Sequence, residues 1–417
     1  MRILIQTLNY KPELTGIGKY SAEMAEWLTK KGHNVRVITA PPYYPEWKIG
    51  ENYSGRQYLR ERIEGVEVWR CPIWIPKNPS GFKRLCHLAS FALTSSIVMV
   101  RQLFWHPQVI ITIEPPFMCA PTALIAAKLT GASSWIHIQD YEIDAAFSLG
   151  ILKSKNIRDI ILKLESLLLQ KFNIVSTISK AMTRKAQEKG VLTKNIHLIP
   201  NWADTEKIFP NKTSTALNKS TFGVPTDKTL VLYSGNLGEK QGIDIIIDVA
   251  RLLIHNNIHF IICGEGPSKE RLLMRSDDLP NITFLPLQPL EHLNDLLNLA
   301  DIHLLPQRTD AEDLVMPSKL TGILACGGPV IATASPSTEL SNVVTDAGGI
   351  VCPPGDAETL SNLISSLSKD EHRRKIMANY ARSYAEEHLS KEAILERANS
   401  LLTSQITKKI TYSSHVE

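Results

Sequence analysis

Apolar residues along this 417-residue chain fall into two kinds of segment that alternate. Short unbroken apolar runs, such as residues 2–7 and 35–39, predict strands buried on both faces of a parallel sheet. Between them, residues 19–31 repeat apolar positions every three or four residues, which predicts a helix. Because a strand–helix–strand order is that of a βαβ unit, we predict an α/β protein.

The same alternation continues almost to the end of the chain. In the first half it predicts further strands at 66–69, 109–113, 135–139, 174–178 and 196–199, and helices at 82–105, 121–129 and 153–171. In the second half it predicts strands at 230–233, 260–263, 282–285 and 302–305, and helices at 243–253, 268–274, 291–299, 356–368, 369–388 and 391–402. Residues 40–65 predict a loop, and residues 403–417 a frayed tail. Two such series joined by the polar segment 205–228 predict two domains.

Composition places the chain among soluble globular proteins, with 43% apolar and 21% charged residues. The six cysteines form no CxxC pair. That usage argues against a zinc knuckle or a disulfide framework and favours reduced thiols in the cytoplasm. Arg2 leads straight into an apolar strand, so we expect no secretory signal. The longest apolar run, residues 85–100, is shorter than the ~20 residues that span a bilayer.

Charge is shared unevenly between the two halves. Residues 1–205 contain 26 Lys and Arg against 16 Asp and Glu, whereas residues 206–417 contain 20 against 26. A basic first half predicts an anionic surface or acceptor as its partner. The predicted helices 82–105 and 153–171 carry basic residues beside apolar ones, which fits either core packing or shallow membrane contact. Nucleic acid fits poorly, because no basic run is interleaved with aromatic residues.

The segment 308–333 combines features of an anion site. Pro317 suits the first turn of a helix, where its missing N–H costs nothing. Ser318, Lys319 and Leu320 follow, where a helix has unpaired N–H groups and a partial positive charge. Lys319 adds a point charge there, so we predict that this segment binds an anion.

Glycine-bounded loops follow several of the predicted strands. Gly16 and Gly18 follow the first strand, and residues 235–242 and 263–267 follow strands of the second half. Such glycines let a phosphate approach the backbone, although an ordinary tight turn uses glycine too. Lys240 lies either within reach of a diphosphate or on a surface turn.

Acidic residues crowd the end of the predicted strand 135–139. Asp140, Glu142 and Asp144 lie at its carboxyl end, where open parallel sheets bind their ligands. We therefore predict a functional role for these three acids. We expect no metal, because no His or Cys partner has clear ligand spacing.

Four segments, taken together and in order, resemble the family 4 glycosyltransferases. They are ILIQTLNYKPELTGIGKY, YSGNLGEKQG, CGEGP and PSKLTGILACGGPVIAT. Within that family the chain is most similar to enzymes of the colanic-acid type. The resemblance implies the GT-B fold, in which two Rossmann-like, doubly wound domains face each other across a cleft. It implies an acceptor-side domain at 1–205, a nucleotide-sugar-binding domain at 206–388, and at 389–417 a helix crossing back to the first domain, with a tail.

The resemblance also implies the site residues. Asp140, with His137 behind it, faces the reacting sugar, and Lys319 and Lys240 neutralise the departing diphosphate. These four are the predicted catalytic residues. The predicted donor-binding residues are Gly16, Gly18, Asn236, Glu265, Gly266, Leu285, Leu287, Arg308, Glu312, Asp313, Met316, Pro317, Ser318 and Leu320.

The chain departs from the family pattern at two places. Asn236 stands where the family usually has Arg, and Gln241 where it has Lys. The two glutamates that the family carries seven residues apart correspond to Leu314 and Gly322. The acidic residues just before Leu314 stand in for the first glutamate, and nothing acidic replaces the second, so the ribose must be held otherwise.

The implied activity is that of a retaining glycosyltransferase. It moves a hexose or deoxyhexose from a nucleotide diphosphate sugar to a saccharide or lipid-diphosphate-saccharide acceptor in bacterial exopolysaccharide biosynthesis. It needs no metal or other cofactor, since cations and helix N-termini neutralise the diphosphate. We expect a cytoplasmic protein, peripheral on the inner face of the plasma membrane. The alternatives are a nucleotide-sugar epimerase or a phosphorylase on the same fold, and a catalytically silent sugar-nucleotide-binding scaffold.

Overall fold

The computed structural model describes residues 1–13, 16–77, 81–144, 155–211, 219–238, 241–308, 319–336 and 338–413; of these, the side chains of 155–157, 290 and 405–413 are not described. The chain forms two compact units, Met1–Pro200 with Leu395–Glu417, and Asn201–Ile394. The first unit thus ends upstream of residue 205. Ala203 explains this, because its N–H donates to Leu389 and its carbonyl accepts from Lys391, both in the second unit or at its end.

The first unit contains an eight-stranded sheet in the order β3-β4-β2-β1-β5-β6-β7-β8. Its strands are β1 (Arg2–Gln6), β2 (Asn34–Thr39), β3 (Leu59–Ile63), β4 (Val66–Arg70), β5 (Val109–Glu114), β6 (Ser133–Ile138), β7 (Ile174–Thr177) and β8 (Ile196–Leu198). Its helices are α1 (Gly16–Lys30), α2 (Gly81–Leu103), α3 (Ala120–Thr130), α4 (Lys155–Leu169) and α5 (Lys180–Glu188), with 3-10 turns at Phe117–Cys119 and Thr193–Asn195. β5 and β6 are buried along their whole length, as expected of inner strands in a parallel sheet that is covered on both faces.

The predicted loop at 40–65 was wrong in its last part, because it contains β3. β3 pairs antiparallel with β4 at the edge of the sheet. Glu64 and Gly65 connect the two strands, both with positive φ (48° and 84°), as a tight hairpin turn requires. β3 reads LRERI and is largely exposed, so it lacks the apolar run that marks the buried strands.

The second unit contains a six-stranded sheet in the order β11-β10-β9-β12-β13-β14, with every pair parallel. Its strands are β9 (Thr229–Ser234), β10 (Ile258–Cys263), β11 (Ile282–Leu285), β12 (Ile302–Leu305), β13 (Val330–Thr333) and β14 (Ile350–Cys352). Its helices are α6 (Asp244–Leu252), α7 (Lys269–Arg275), α8 (Leu293–Leu299), α9 (Lys319–Ala325), α10 (Glu339–Asp346), α11 (Ala357–Lys369) and α12 (Glu371–His388), with a 3-10 turn at Leu290–His292. This order is that of a dinucleotide-binding Rossmann sheet.

The end of the chain differs from the prediction in two respects. The short elements α10 and β14 were not predicted, because eight and three residues carry little periodicity. The last helix, α13 (Lys391–Ser413), continues through residues predicted to fray. No proline or glycine interrupts residues 391–413, so nothing in the sequence stops the helix earlier. None of the helices in the described part of the chain is both long and apolar enough to cross a bilayer.

Candidate functional site

The order of strands in the second unit defines where a ligand site is expected. The sheet grows outward in both directions from the neighbouring strands β9 and β12. Loops that leave the carboxyl ends of two such strands turn to opposite faces of the sheet and leave a crevice between them. The segment after β9 is the glycine-bounded loop 235–242, and Pro306, Gln307 and Arg308 follow β12.

Lys319 lies against the glycine loop. Its ammonium donates a hydrogen bond to the Tyr233 hydroxyl at 2.7 Å and lies 4.3 Å from the centre of that ring. The Tyr233 hydroxyl in turn donates to the carbonyl oxygen of Asn236 at 2.7 Å. A buried tyrosine at the end of β9 thus connects the lysine to the loop that follows it.

Protein atoms surround the Lys319 ammonium closely enough to change its ionisation. Desolvation by burial lowers the pKa of Lys319 from 10.5 to about 7. The hydrogen-bond partner that the structure gives it, Tyr233, is a neutral hydroxyl whose own pKa is raised by burial. A bound anion would favour the charged form of this lysine, so its surroundings suit a phosphate.

Two glycine loops approach each other where side chains would collide. A Cβ atom on Gly264 would lie 1.9 Å from the carbonyl oxygen of Gly235, and one on Gly235 would lie 2.9 Å from Lys319 Nζ. Both glycines have φ near 150°, a region that other residues rarely enter. The N–H of Gly235 donates to Cys263 at 2.9 Å, and that of Leu237 donates to Glu265 at 2.8 Å. The loops after β9 and β10 therefore form one layered backbone surface beside the lysine.

Other predicted donor-binding residues line the same loops. A Cβ on Gly266 would lie 2.7 Å from Asn236 Oδ1, which brings these two predicted residues together. Glu265 is exposed and forms an ion pair with Lys269 at 2.6 Å. The Leu285 carbonyl, at the end of β11, accepts the Gly264 N–H at 3.1 Å. Leu287 follows with its side chain exposed.

Arg308 and Leu320, two further predicted donor-binding residues, differ in their surroundings. Arg308 is exposed, and its Cγ lies 3.0 Å from where a Cβ of Gly242 would be. It lines a groove of about 520 Å³ with Gly242, Asp244, Ile245, Asp248, Gln307, Thr333, Pro354 and Gly355. Leu320 is buried in the hydrophobic core, so its side chain supports α9 and does not face the loops. Lys240, Glu312, Asp313, Met316, Pro317 and Ser318 lie outside the described residues.

Gly322 occupies the position of the second family glutamate. A Cβ there would lie 3.4 Å from Leu297 Cδ1 and 3.9 Å from Ile208 Cδ1. The position therefore faces apolar packing. Because residue 322 is glycine, this chain has no carboxylate there that could bind the ribose, and the apolar neighbours would not favour one.

In the first unit, the predicted residues Gly16 and Gly18 begin α1. Gly16 has φ 58°, and a Cβ on Gly18 would lie 3.0 Å from the Glu13 Oε2 atom. The Glu13 carboxylate accepts from Asn9 Nδ2 at 2.8 Å and from the Tyr43 N–H at 2.9 Å. This buried carboxylate ties the loop after β1 to the loop after β2, and burial raises its pKa.

Asp140 lies just beyond the carboxyl end of β6, partly buried. His137 lies within β6 and is buried; its Nδ1 bonds Ser176 Oγ at 2.8 Å, and its Nε2 bonds Gln139 Nε2 at 2.9 Å. Burial lowers the pKa of His137 to about 4, so the imidazole is neutral at pH 7. The structure thus links His137 to the strand end through Gln139.

The other acids near Asp140 have different surroundings. Glu142 accepts the Phe117 N–H at 3.0 Å, and burial raises its pKa to about 7. Asp144 forms ion pairs with Lys185 at 3.0 Å and with Lys189, just after α5, at 2.9 Å. Glu114, at the end of β5, is fully buried, and burial together with neighbouring carboxylates raises its pKa. Among the described residues, no group of three potential His, Cys, Asp or Glu ligands could hold a metal ion.

Sequence reasoning missed Tyr233, Glu13 and Glu114. Tyr233 carried a usable signal, because a tyrosine that directly precedes a glycine loop is placed to bond that loop. Glu114 also carried one, since an acid that ends a fully apolar strand must be buried with it. Glu13 lies in a polar loop, where nothing distinguishes a buried carboxylate from an exposed one.

Two family models divide the chain between them. Residues 15–202 match the glycosyl transferase 4-like domain, and residues 215–384 match the glycosyl transferases group 1 model. A relative from Escherichia coli K12, named as a colanic acid biosynthesis glycosyl transferase, WcaI, is 43% identical over 408 residues. The match covers 95% of this chain and 98% of the relative. The chain belongs to the family 4 glycosyltransferases. The family membership predicted from the four sequence segments is confirmed.

Solved structures establish the fold of this glycosyltransferase. A sucrose-phosphate synthase from Thermosynechococcus elongatus matches with a TM-score of 0.75 and 17% identity, covering 97% of this chain and 99% of the other. Anabaena HepE in complex with UDP-glucose matches with a TM-score of 0.70 and 16% identity, covering 96% and 99%. WaaG, a glycosyltransferase involved in lipopolysaccharide biosynthesis, matches with a TM-score of 0.69 and 16% identity, covering 96% of this chain and 99% of WaaG. The predicted GT-B fold is confirmed.

Proposed function

We propose that this glycosyltransferase moves a hexose or deoxyhexose from a nucleotide diphosphate sugar to a lipid-linked oligosaccharide in the synthesis of a colanic-acid-type exopolysaccharide. The observation that carries the donor assignment is Lys319, held by Tyr233 against the glycine loops at the switch point of the second sheet. The similarity to WcaI over nearly the whole chain supports the pathway.

The second unit holds the donor. As the sugar leaves, negative charge grows on the diphosphate, and Lys319 neutralises it in a largely desolvated position. Gly235 and Gly264 let the two loops pack closely beside Lys319, because neither carries a side chain that would push the loops or the lysine away. The backbone near Leu285 and Leu287 holds the base.

The first unit holds the acceptor and orients the reacting sugar through Asp140. His137 acts as a positioning residue, because its hydrogen bond fixes Gln139 beside Asp140. The transfer retains the anomeric configuration: the acceptor hydroxyl attacks the face from which the diphosphate departs, and the departing phosphate oxygen takes its proton. This step needs neither a protein nucleophile nor a divalent ion, so turnover persists in EDTA.

Thermal-shift screening against UDP-, GDP- and ADP-sugars tests the donor assignment. A nucleotide sugar at 100 times its dissociation constant stabilises the folded protein by about 2.7 kcal/mol, which raises the melting temperature. Lys319→Met abolishes this shift, whereas Lys375→Met, on the exposed side of α12, leaves it unchanged. Absence of a shift with every nucleotide sugar contradicts the proposal.

Gly322 keeps a second function open, that of a silent sugar-nucleotide-binding scaffold, since the family carboxylate is missing there. Turnover separates the two. With the donor found by the screen and a lipid-linked acceptor, the enzyme releases nucleoside diphosphate and forms an α- or β-linked product that matches the anomer of its donor. Binding without turnover identifies a scaffold, and a new nucleotide sugar formed without acceptor identifies an epimerase.

A further inference from the structure

The outer face of α2 carries a continuous apolar stripe. Leu93, Ile97 and Val100 follow one another at intervals of four and three residues, so they lie along one side of the helix, and Phe104 directly follows its last residue. Their exposed fractions range from 59 to 85%. Phe82, at the start of the same helix, is exposed as well. A surface helix ordinarily carries polar residues on this side.

The neighbouring helix widens this stripe into a surface. α3 packs against α2. Ile125 and Leu129 on α3 and Met118 just before it are exposed, and their spacing of seven and four residues places them on one side. We call these eight residues the α2–α3 surface: Phe82, Leu93, Ile97, Val100, Phe104, Met118, Ile125 and Leu129.

The α2–α3 surface is not needed for the fold. The opposite side of α2 supplies the buried residues, among them Phe91, Val98 and Met99, which join a hydrophobic core cluster of the first unit. Exposed apolar side chains gathered on two adjacent helices are unusual for a soluble protein and mark a surface that contacts another molecule or a membrane.

Charge indicates which partner fits. Lys83, Arg84 and Arg101 on α2 and Lys128 on α3 are exposed, and neither helix contains an aspartate or a glutamate. An apolar face on two helices whose own charges are all positive is complementary to a bilayer that contains anionic phospholipid. Each lysine or arginine near such a surface favours binding by roughly fivefold, on the basis of about 1 kcal/mol per residue.

We propose that the α2–α3 surface docks this enzyme on an anionic phospholipid bilayer. α2 would lie in the plane of the interface along its 23 residues, about 34 Å, with its apolar side chains at the boundary between headgroups and acyl chains. The role of this docking, which is to bring the enzyme to a lipid-linked acceptor, rests on the proposed function. The docking itself can be measured without turnover.

A second helix of the first unit provides an internal comparison. α4 exposes Ile160, Leu164 and Leu167, also at helical spacing. Its exposed side includes Asp159 beside Lys163, so its charge is mixed. Because the repulsion between an acidic residue and an anionic headgroup opposes binding, the α2–α3 surface fits the bilayer better than α4 does.

Vesicle co-sedimentation of the full-length protein tests the proposal. The wild type binds vesicles of phosphatidylglycerol and phosphatidylethanolamine, and binds vesicles of phosphatidylcholine alone at least about tenfold more weakly. Ile97→Ser with Phe104→Ser lowers the partition coefficient on the order of tenfold or more, because two large apolar side chains are lost. Lys83→Gln with Lys128→Gln weakens vesicle binding to a similar extent. High salt weakens the binding of the wild type as well, because it screens the attraction between lysine and anionic headgroups.

The matched control is Ile160→Ser with Leu164→Ser on α4, which leaves binding unchanged. Since all of these positions are exposed, the variants keep the wild-type melting temperature. The proposal is overturned if wild type ignores anionic vesicles, if the α2 variant binds as the wild type does, or if only the α4 variant loses binding. It is also overturned if the wild type is a lipid-free dimer that the α2 variant dissociates.

A soluble acceptor analogue separates this proposal from the proposed function. With such an acceptor the α2 variant transfers sugar at the wild-type rate, because its active site is intact. A wild type that binds vesicles but transfers no sugar would disprove the enzymatic function and leave the docking surface standing.

Discussion

The Lys319 ammonium and the Tyr233 hydroxyl form a 2.7 Å hydrogen bond between segments 86 residues apart in sequence. This bond joins the start of the described part of α9 to the end of β9. Because the same hydroxyl donates to the Asn236 carbonyl, the lysine is positioned over the glycine loop before any ligand arrives. A lysine held in this way loses little side-chain entropy when a phosphate binds.

Removal of the Tyr233 hydroxyl tests this positioning. Tyr233→Phe keeps the buried ring but leaves the Lys319 ammonium and the Asn236 carbonyl without their described partner. We expect a loss of about 1–2 kcal/mol in the free energy of unfolding and a several-fold weaker affinity for the donor nucleotide. Urea unfolding and calorimetric titration measure the two effects. Tyr380→Phe, at an exposed position, is the control, and an unchanged donor affinity in Tyr233→Phe would contradict the positioning role.

The close approach of the two glycine loops predicts a strong effect at Gly264. In Gly264→Ala the new methyl group would lie 1.9 Å from the Gly235 carbonyl oxygen, so the loops must separate. We expect a loss of about 3 kcal/mol or more in stability, together with loss of donor binding.

Gly223→Ala is the matched control for that variant. Gly223 also has positive φ (64°), but no atom lies within 4 Å of its Cβ position. It should cost about 1 kcal/mol, from backbone strain alone, and leave donor binding intact. Equal effects in the two variants would show that the contact between the loops is unimportant.

The elevated pKa of Glu142 predicts a pH-dependent stability. Its carboxyl has a pKa of about 7 when folded and 4.5 as the ordinary value, so the folded state binds more protons between these limits. Its contribution to stability is therefore greatest below pH 4.5 and is lost as the pH rises to 7, by up to about 3 kcal/mol.

Glu142→Gln isolates this contribution. The amide oxygen can still accept the Phe117 N–H, and the side chain no longer ionises. Relative to the wild type, the variant should gain up to about 3 kcal/mol more in stability at pH 8 than at pH 5, as urea unfolding at the two pH values measures. The same difference at both pH values would mean that Glu142 titrates normally.

Substitution of Asp140 should affect turnover and donor binding differently. We expect Asp140→Asn to lower kcat on the order of 100-fold while the dissociation constant of the donor changes little, because the proposed contacts to its base and diphosphate lie in the second unit. Asp144→Asn is the control: it loses ion pairs to Lys185 and Lys189 and should affect stability but not kcat. A weaker donor affinity with normal kcat would contradict the assignment.

The sequence predicted the elements that are buried on both faces. Strands such as β5 and β9 are continuous apolar runs, and no other local structure suits such runs between helices. β3 escaped prediction because an exposed edge strand carries charges on both faces. α13 extends beyond the predicted helix, because no proline or glycine interrupts its last part, whereas chain ends commonly fray.

The positions of the loops in the candidate site could be predicted from the sequence, but the contacts between their side chains could not. Glycine spacing indicated the segments around Gly235 and Gly264, because only glycine tolerates that backbone and that proximity. The bond between Lys319 and Tyr233 depends on how β9 and β12 pair and on where α9 then begins, which no local pattern records. The ionisation of Glu142 likewise comes from burial that only the folded chain creates.

The most direct test is the number of protons taken up when the donor nucleotide sugar binds at pH 8. The free Lys319, with a pKa of about 7, is mostly neutral there, and a bound diphosphate makes it charged. Calorimetric titration in buffers of different ionisation enthalpy should therefore show uptake of close to one proton, absent in Lys319→Met, and an affinity that falls by about tenfold per pH unit above 7. Binding with no proton uptake, or wild-type affinity in Lys319→Met, would contradict the account.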